Sequence, residues 1–177
     1  MKNRVVHVNL SAESIDAAIK ELKAYKKWIL KCTKKLLKKM ADEGMNTSSV
    51  KFSQAAYDGT NDVTVSVQST KGDMKVAVIA VGNATLFIEF GTGVKYPDTH
   101  PDTAKNGMVR GGYGHGLGKL KNGWRYEGDP GTNGEVITSG KHEGMIHTYG
   151  NPANACMYET IRELEQRFEE MVREVFV

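Results

Sequence analysis

Cysteine is scarce in this chain: Cys32 and Cys156 are the only two among 177 residues. Their separation supports neither a Cys-x-x-Cys pair nor a disulfide framework, which argues against zinc ribbons, redox motifs and stapled secreted scaffolds. Both fall at apolar phases of helical segments, where a cysteine behaves as a small core residue. Long apolar runs are lacking too. Nothing approaches the roughly 18 residues of a membrane span, so no membrane contact is expected. The opening "MKNRVVHVNL" has no apolar h-region followed by a small-residue cleavage site, so synthesis in a cytoplasm is expected. Net charge is only +3, but it is uneven. Residues 1–45 hold 11 Lys/Arg against 5 Asp/Glu, a balance of +6; residues 46–177 hold 13 against 16, a balance of −3. Such asymmetry suits nucleic-acid contact, two elements of one fold that attract each other, or a neighbouring subunit.

The length suits one domain, 1–177. Its core is expected over about 10–95 and 145–176, with 96–145 as an extended glycine-rich arm. "SAESIDAAIKELKAYKKWILKCTKKLLKKMADEG" predicts a long helix. Ser11 is its N-cap, and Glu13 and Asp16 suit the positive end of the helix dipole. Ile15, Ala18, Leu22, Tyr25, Ile29, Cys32, Leu36 and Met40 recur at steps of three and four, drawing one apolar stripe. Gly44 is the expected stop. Val63, Val65 and Val67 alternate with polar residues as in a half-buried strand. "STKGD" signals a turn, and "MKVAVIAV" reads as a more central strand. "VKFSQAAY" is a third strand candidate. "NPANACMYETIRELEQRFEEMVREVFV" predicts a second amphipathic helix, with Asn151 as cap and Pro152 in its first position. The expected fold class is α+β: two long amphipathic helices packed on a small antiparallel sheet.

Glycine is concentrated: 12 of the 19 lie between Gly107 and Gly144. That segment cannot be a regular helix, and long irregular loops are typically functional. Short strands are expected around "GWRYEG" and "EGMIHTY". "GYGHGLGKL" fails as a phosphate loop, because position 113 is Tyr rather than Gly and Leu120 replaces the Ser/Thr. Asp98, His100 and Asp102 alternate, but no second cluster completes a metal shell. No nucleophile and base share a recognisable context. No catalytic residue, metal or cofactor is therefore assigned, and the chain is not read as an enzyme. Arg110, Tyr113, Lys119, Lys121, Trp124, Arg125 and Tyr126 mix cations with aromatics, as single-strand binders do. With the nine lysines from Lys20 to Lys39, they support an alternative: a nucleic-acid-binding module without base readout.

Two stretches together carry a resemblance. "ATLFIEFGTG" resembles the Ala-x-x-(Val/Ile)-Glu-(Phe/Tyr)-Gly-Thr signature of a tail-component family of long-tailed bacteriophages, whose members are called tail completion, head–tail joining or minor structural proteins. "HTYGNPANACMYETIRELEQRFEEMVREVF" resembles that family's closing segment, where Gly-x-Pro-Ala leads into a helix ending Val-Phe. The element order is similar as well. Two departures stand out. Asn154-Ala155-Cys156-Met157 is smaller than the aromatic found after Pro-Ala in many members. "TAKNGMVRGGYGHGLGKLKNGWRYEG" is longer than in compact ones.

The resemblance implies a virion protein of the neck or tail. It would assemble as a homo-oligomeric ring, six-fold favoured, against neck and tail-tube proteins, with non-specific contact to genomic DNA open. Glu89, Phe90, Thr92, Tyr113, Trp124, Tyr126, Lys34 and Lys38 are the candidate subunit or partner contacts. Glu89 sits in a segment that reads as a short helix capped by Asn83 and stopped by Gly91, with Leu86 or Phe87 and Phe90 facing the core. A strand is the other reading. The Glu89 carboxylate then accepts N–H groups of the Gly-Thr-Gly turn, or meets a neighbouring subunit.

Overall fold

The computed structural model describes residues 5–70, 72, 74–92, 99–102, 104–105 and 122–177. Helix α1 spans Ala12–Ser53, about 63 Å at 1.5 Å per residue. Ser11 caps it as expected, its Oγ accepting from the Ser14 amide at 3.2 Å. The stop does not fall at Gly44. The helix runs through it, and Gly44 packs closely against two other elements. A Cβ there would stand 3.2 Å from Leu164 Cδ1 and 3.3 Å from Val78 Cγ2. Close packing offsets the cost of about 1 kcal/mol that glycine carries inside a helix. "VKFSQAAY" is consequently not a strand. Its first residues finish α1, and Phe52 is fully in the core.

A hairpin follows, β1 (Thr64–Ser69) and β2 (Val76–Val81), antiparallel with Val65 opposite Ala80 and Val67 opposite Val78. Among the described residues β2 pairs with β1 alone, so it is not a central strand. After the short helix α2 (Thr85–Phe90) comes a second sheet. Its strands are β3 (Trp124–Tyr126), β4 (Glu135–Val136) and β5 (Ile146–Thr148), in the order β3-β5-β4. The strands at "GWRYEG" and "EGMIHTY" therefore exist and pair with each other. Of the arm expected over 96–145, residues 96–98, 103 and 106–121 lie outside the described residues. From residue 122 the chain is built into the fold, and β4 had no sequence signal. The sheet is tied to the loop after α1: the Thr132 amide donates to Tyr57 O at 2.8 Å and the Asn133 amide to Asp58 Oδ1 at 2.9 Å.

Helix α3 (Cys156–Val175) lies antiparallel along α1. Cys32 and Leu36 meet Met171 and Val175, with Trp28, Met40, Leu164 and Phe176 around them. Lys39 pairs with Glu174, Arg167 with Glu43 at 2.7 Å, and Lys51 with Glu163 at 2.8 Å. The basic and acidic helices attract each other side by side. Exposed pairs contribute at most about 1 kcal/mol each, so the apolar seam holds the helices and the charges align them. A second cluster joins Phe52, Ala84, Ile88 and Cys156 to Val63, Val65 and Ala80 of the hairpin side. The fold class is α+β, and both cysteines are buried free thiols.

Candidate functional site

The "ATLFIEFGT" segment begins as helix α2, and a residue far from it in sequence holds the chain just before that helix. Asp62, just before β1, accepts the Asn83 amide at 2.8 Å and the Ala84 amide at 2.9 Å. The Asn83 side chain is a donor to Asp62 at 2.9 Å, not the cap expected of it. These bonds, the Ala84 amide foremost and then Asn83, hold the Asp62 carboxyl below its usual 3.8. The folded value is depressed, so the stabilisation is complete above the unfolded value near about 4 and fades as pH falls through the folded one. Asp62→Asn should therefore melt below wild type by a constant gap from about pH 5 to 7, and the gap should narrow below about pH 4. Calorimetry across that range checks it; a gap unchanged at the acid end would remove the charge from the cap.

Helix α2 turns Ile88 and Glu89 inward and leaves Leu86 and Phe87 about two-fifths exposed, at 43% and 42%. The expectation that Leu86 or Phe87 faces the core is thus corrected: Ile88 takes the core position, packed with Phe52, Ala84 and Cys156. Glu89 is only 6% exposed. Its Oε2 accepts the Met157 amide at 2.8 Å and its Oε1 the Tyr158 amide at 3.0 Å. These are N–H groups at the start of α3, where a helix has no internal acceptors and its dipole favours an anion. The expected acceptor role of Glu89 is present, but toward the start of α3 rather than toward the Gly-Thr-Gly turn. Asn151 and Pro152 do not start α3 either. The helix begins four residues later, after Ala155 in a left-handed conformation (φ 49°), with no side-chain cap of its own. Glu89 supplies that cap from another element.

His100 completes the knot. It is buried, with Nε2 3.4 Å from Glu89 Oε1 and Nδ1 accepting from the Asp102 amide at 3.0 Å. An accepting Nδ1 places the proton of a neutral ring on Nε2, facing the carboxylate. Phe90 packs against one side of the ring at 4.7 Å and Tyr158 meets it edge-on at 5.4 Å. Both nitrogens are thus engaged, and Asp102 also reaches Lys105 at 3.6 Å. Asp98, the third member of the alternating set, lies outside the described residues. Cys156 is inert beside this knot: burial first, then the Glu89 charge, pushes its thiol up to about 12.

Beyond Gly91 the chain docks onto the lead-in to α3. The Thr92 amide donates to Asn151 O at 3.1 Å, and the Asn151 amide donates back to Thr92 Oγ1 at 3.0 Å. Next to this bridge opens a cavity of about 250 Å³, lined by Tyr57, Asp58, Phe87, Thr92, Trp124, Tyr126 and Asn151. Trp124 and Tyr126 stand on one face of β3 and both line it. Asn151 is wholly buried, and its side-chain oxygen has no hydrogen-bond partner. Burial raises the phenols of Tyr57 and Tyr126 above their usual 10.0, helped by nearby aspartates, so both remain donors at neutral pH.

Of the expected contacts, the structure brings together Thr92, Trp124 and Tyr126 at the cavity, with Glu89 and Phe90 in the knot beside it. Lys34 and Lys38 lie on α1 and line neither. Tyr113 lies outside the described residues, as do Arg110, Lys119 and Lys121. Asp62, Tyr57 and Asp58 were missed by sequence reasoning, because an aspartate or tyrosine in a turn-rich stretch carries no periodic signal of a distant partner. No family model, no curated protein and no solved structure matches this chain.

Proposed function

We propose that this protein is a structural component of a long-tailed bacteriophage virion. It acts in tail completion or head–tail joining, as a ring at the neck or the head-proximal end of the tail. The observation that carries the reading is that the two resembling stretches form one unit. Glu89 of "ATLFIEFGTG" caps the helix of "NPANACMYETIRELEQRF" through the Met157 and Tyr158 amides. Two short motifs, far apart in sequence, are thereby a single physical feature. Apolar side chains left uncovered on α1, α2 and α3 add support, since exposed apolar patches mark assembly surfaces. Copies in a ring meet through unlike surfaces that close on rotation.

The test is light scattering after size exclusion over a concentration series, with negative-stain images of the peak. Closed rings of several 19.5 kDa copies are expected, and in a phage carrying the gene its deletion should leave unjoined heads and tails. Complete, joined particles from the deletion strain would overturn the reading. Removing Gly107–Gly134 is not a clean test of the glycine-rich arm. That deletion takes away β3 and the contacts of Thr132 and Asn133 to Tyr57 and Asp58.

A further inference from the structure

Four aromatic side chains and one carboxylate share the cavity beside the Thr92–Asn151 bridge. Tyr57, Phe87, Trp124 and Tyr126 line it together with Asp58, and no lysine, arginine or histidine is among its described lining residues. Tyr57 and Asp58 come from the loop after α1, Phe87 from α2, and Trp124 and Tyr126 from β3. The face of an aromatic ring is negative, and it attracts a cation within about 6 Å of the ring centre. A carboxylate among such rings adds a full negative charge.

That charge has no counterion among the described residues. Asp58 Oδ1 accepts the Asn133 amide at 2.9 Å and Oδ2 accepts the Thr148 hydroxyl, both neutral donors. A carboxylate offers about four acceptor positions, so others are left. Asp129 stands close by, its backbone oxygen accepting the Tyr126 hydroxyl at 2.7 Å, and its carboxylate takes the Gly131 amide, again a neutral donor. The surroundings of the rings are correspondingly negative. After burial, Asp62 and Asp58 raise the Tyr57 phenol, and Asp58 leads the charges that raise Tyr126. Asn151 lines the same cavity, is wholly buried, and has a side-chain oxygen with no hydrogen-bond partner. Rings, carboxylate and spare acceptor are all complementary to a positively charged donor.

We propose that this cavity seats the cationic tip of a lysine or arginine side chain presented by a partner protein. Size favours a single side chain: about 250 Å³ is below the roughly 300–1,000 Å³ of pockets for drug-sized ligands. Charge favours lysine or arginine over an apolar anchor, and it disfavours a phosphate. The site is independent of the ring reading, which concerns how copies assemble.

A titration of the full-length chain followed by nuclear magnetic resonance tests it, with the Trp124 indole N–H as reporter and Trp28→Phe to assign it. Lysine and arginine, each capped as the N-acetyl N-methylamide, are the cationic probes. The norleucine analogue keeps the four-carbon stem without the charge, and tetramethylammonium represents a free small cation. Saturable shifts at Trp124 are expected with both cationic probes, with affinity about ten-fold above norleucine. Asp58→Asn should weaken the lysine probe by about three- to five-fold and leave norleucine unchanged. Tyr126→Leu removes one ring without touching Asp58 and should weaken both cationic probes. Circular dichroism first confirms that each variant is folded, and either one alone carries the test. No saturable shift with lysine or arginine would overturn the proposal. Norleucine binding as tightly as lysine would overturn it too, leaving an apolar pocket. Tetramethylammonium binding more tightly than either capped residue would overturn the side-chain assignment in favour of a free cation.

Discussion

Glu89→Ala is expected to lower the melting temperature by about 6–12 °C. The substitution removes an acceptor that serves two amides at once and leaves the Met157 and Tyr158 N–H groups at a buried helix start without partners. Hydrogen bonds to a charged group contribute about 1.5–3 kcal/mol each, so a total loss of about 3 kcal/mol is a conservative sum. For a chain of this length, 1 kcal/mol corresponds to about 2–4 °C. The same truncation strands His100, whose Nε2 faces the lost carboxylate. Glu89→Gln keeps one oxygen and should lose about half as much, because it still accepts one amide but no longer presents a charge to the helix dipole. Calorimetry on the three proteins checks the order wild type, Gln, Ala. An alanine variant that melts with wild type would mean that α3 does not depend on this cap.

Gly91→Ala is expected to cost about 3 kcal/mol or more, through two effects that add. Gly91 sits at φ 78°, ψ 173°, a region essentially restricted to glycine, where other residues are strained by about 1–3 kcal/mol. A Cβ would also stand 2.7 Å from Ala153 N and 2.9 Å from Pro152 C. Those are backbone atoms, which cannot rotate away. Gly140 supplies the comparison. Its φ is 90°, but a Cβ there meets nothing within 4 Å, so Gly140→Ala carries the conformational cost alone, about 1–2 kcal/mol. Chemical denaturation of both variants separates close approach from backbone conformation. Equal losses would mean that the segment after Gly91 and the lead-in to α3 can move apart freely. Glu89→Ala and Gly91→Ala act on one junction, so the double variant should lose less than the two separate losses combined.

Much of the fold was legible along the chain. The α1 start at Ser11, its apolar stripe, the valine alternation of β1, the short strands at Trp124 and Ile146 and the burial of both cysteines all follow from local periodicity and capping chemistry. These signals act over a few residues, so a sequence states them outright. The ends of the helices were not legible. Gly44 is a helix stop by propensity, yet α1 passes through it because Leu164 and Val78 need the space of a missing side chain. Pro152 and Asn151 are start signals by propensity, yet α3 begins at Cys156, because Asn154 and Ala155 donate their amides to the end of α2. Leu86 and Phe87 look more like core residues than Glu89 does. The carboxylate is inside because the free amides of α3 stabilise it there, at a sequence distance of 68 and 69 residues. The candidate site shares this character. Thr92, Trp124 and Tyr126 were recognisable one by one as side chains suited to contact. Only the docking of the α3 lead-in against Gly91 and Thr92, with β3 paired to β5 beside it, gathers them around one cavity. Local sequence thus set the long helices, the hairpin and two of the short strands, and the start of α1. Tertiary packing decided where the helices end, which carboxylate is buried and which side chains meet, because those outcomes depend on partners that no short window contains.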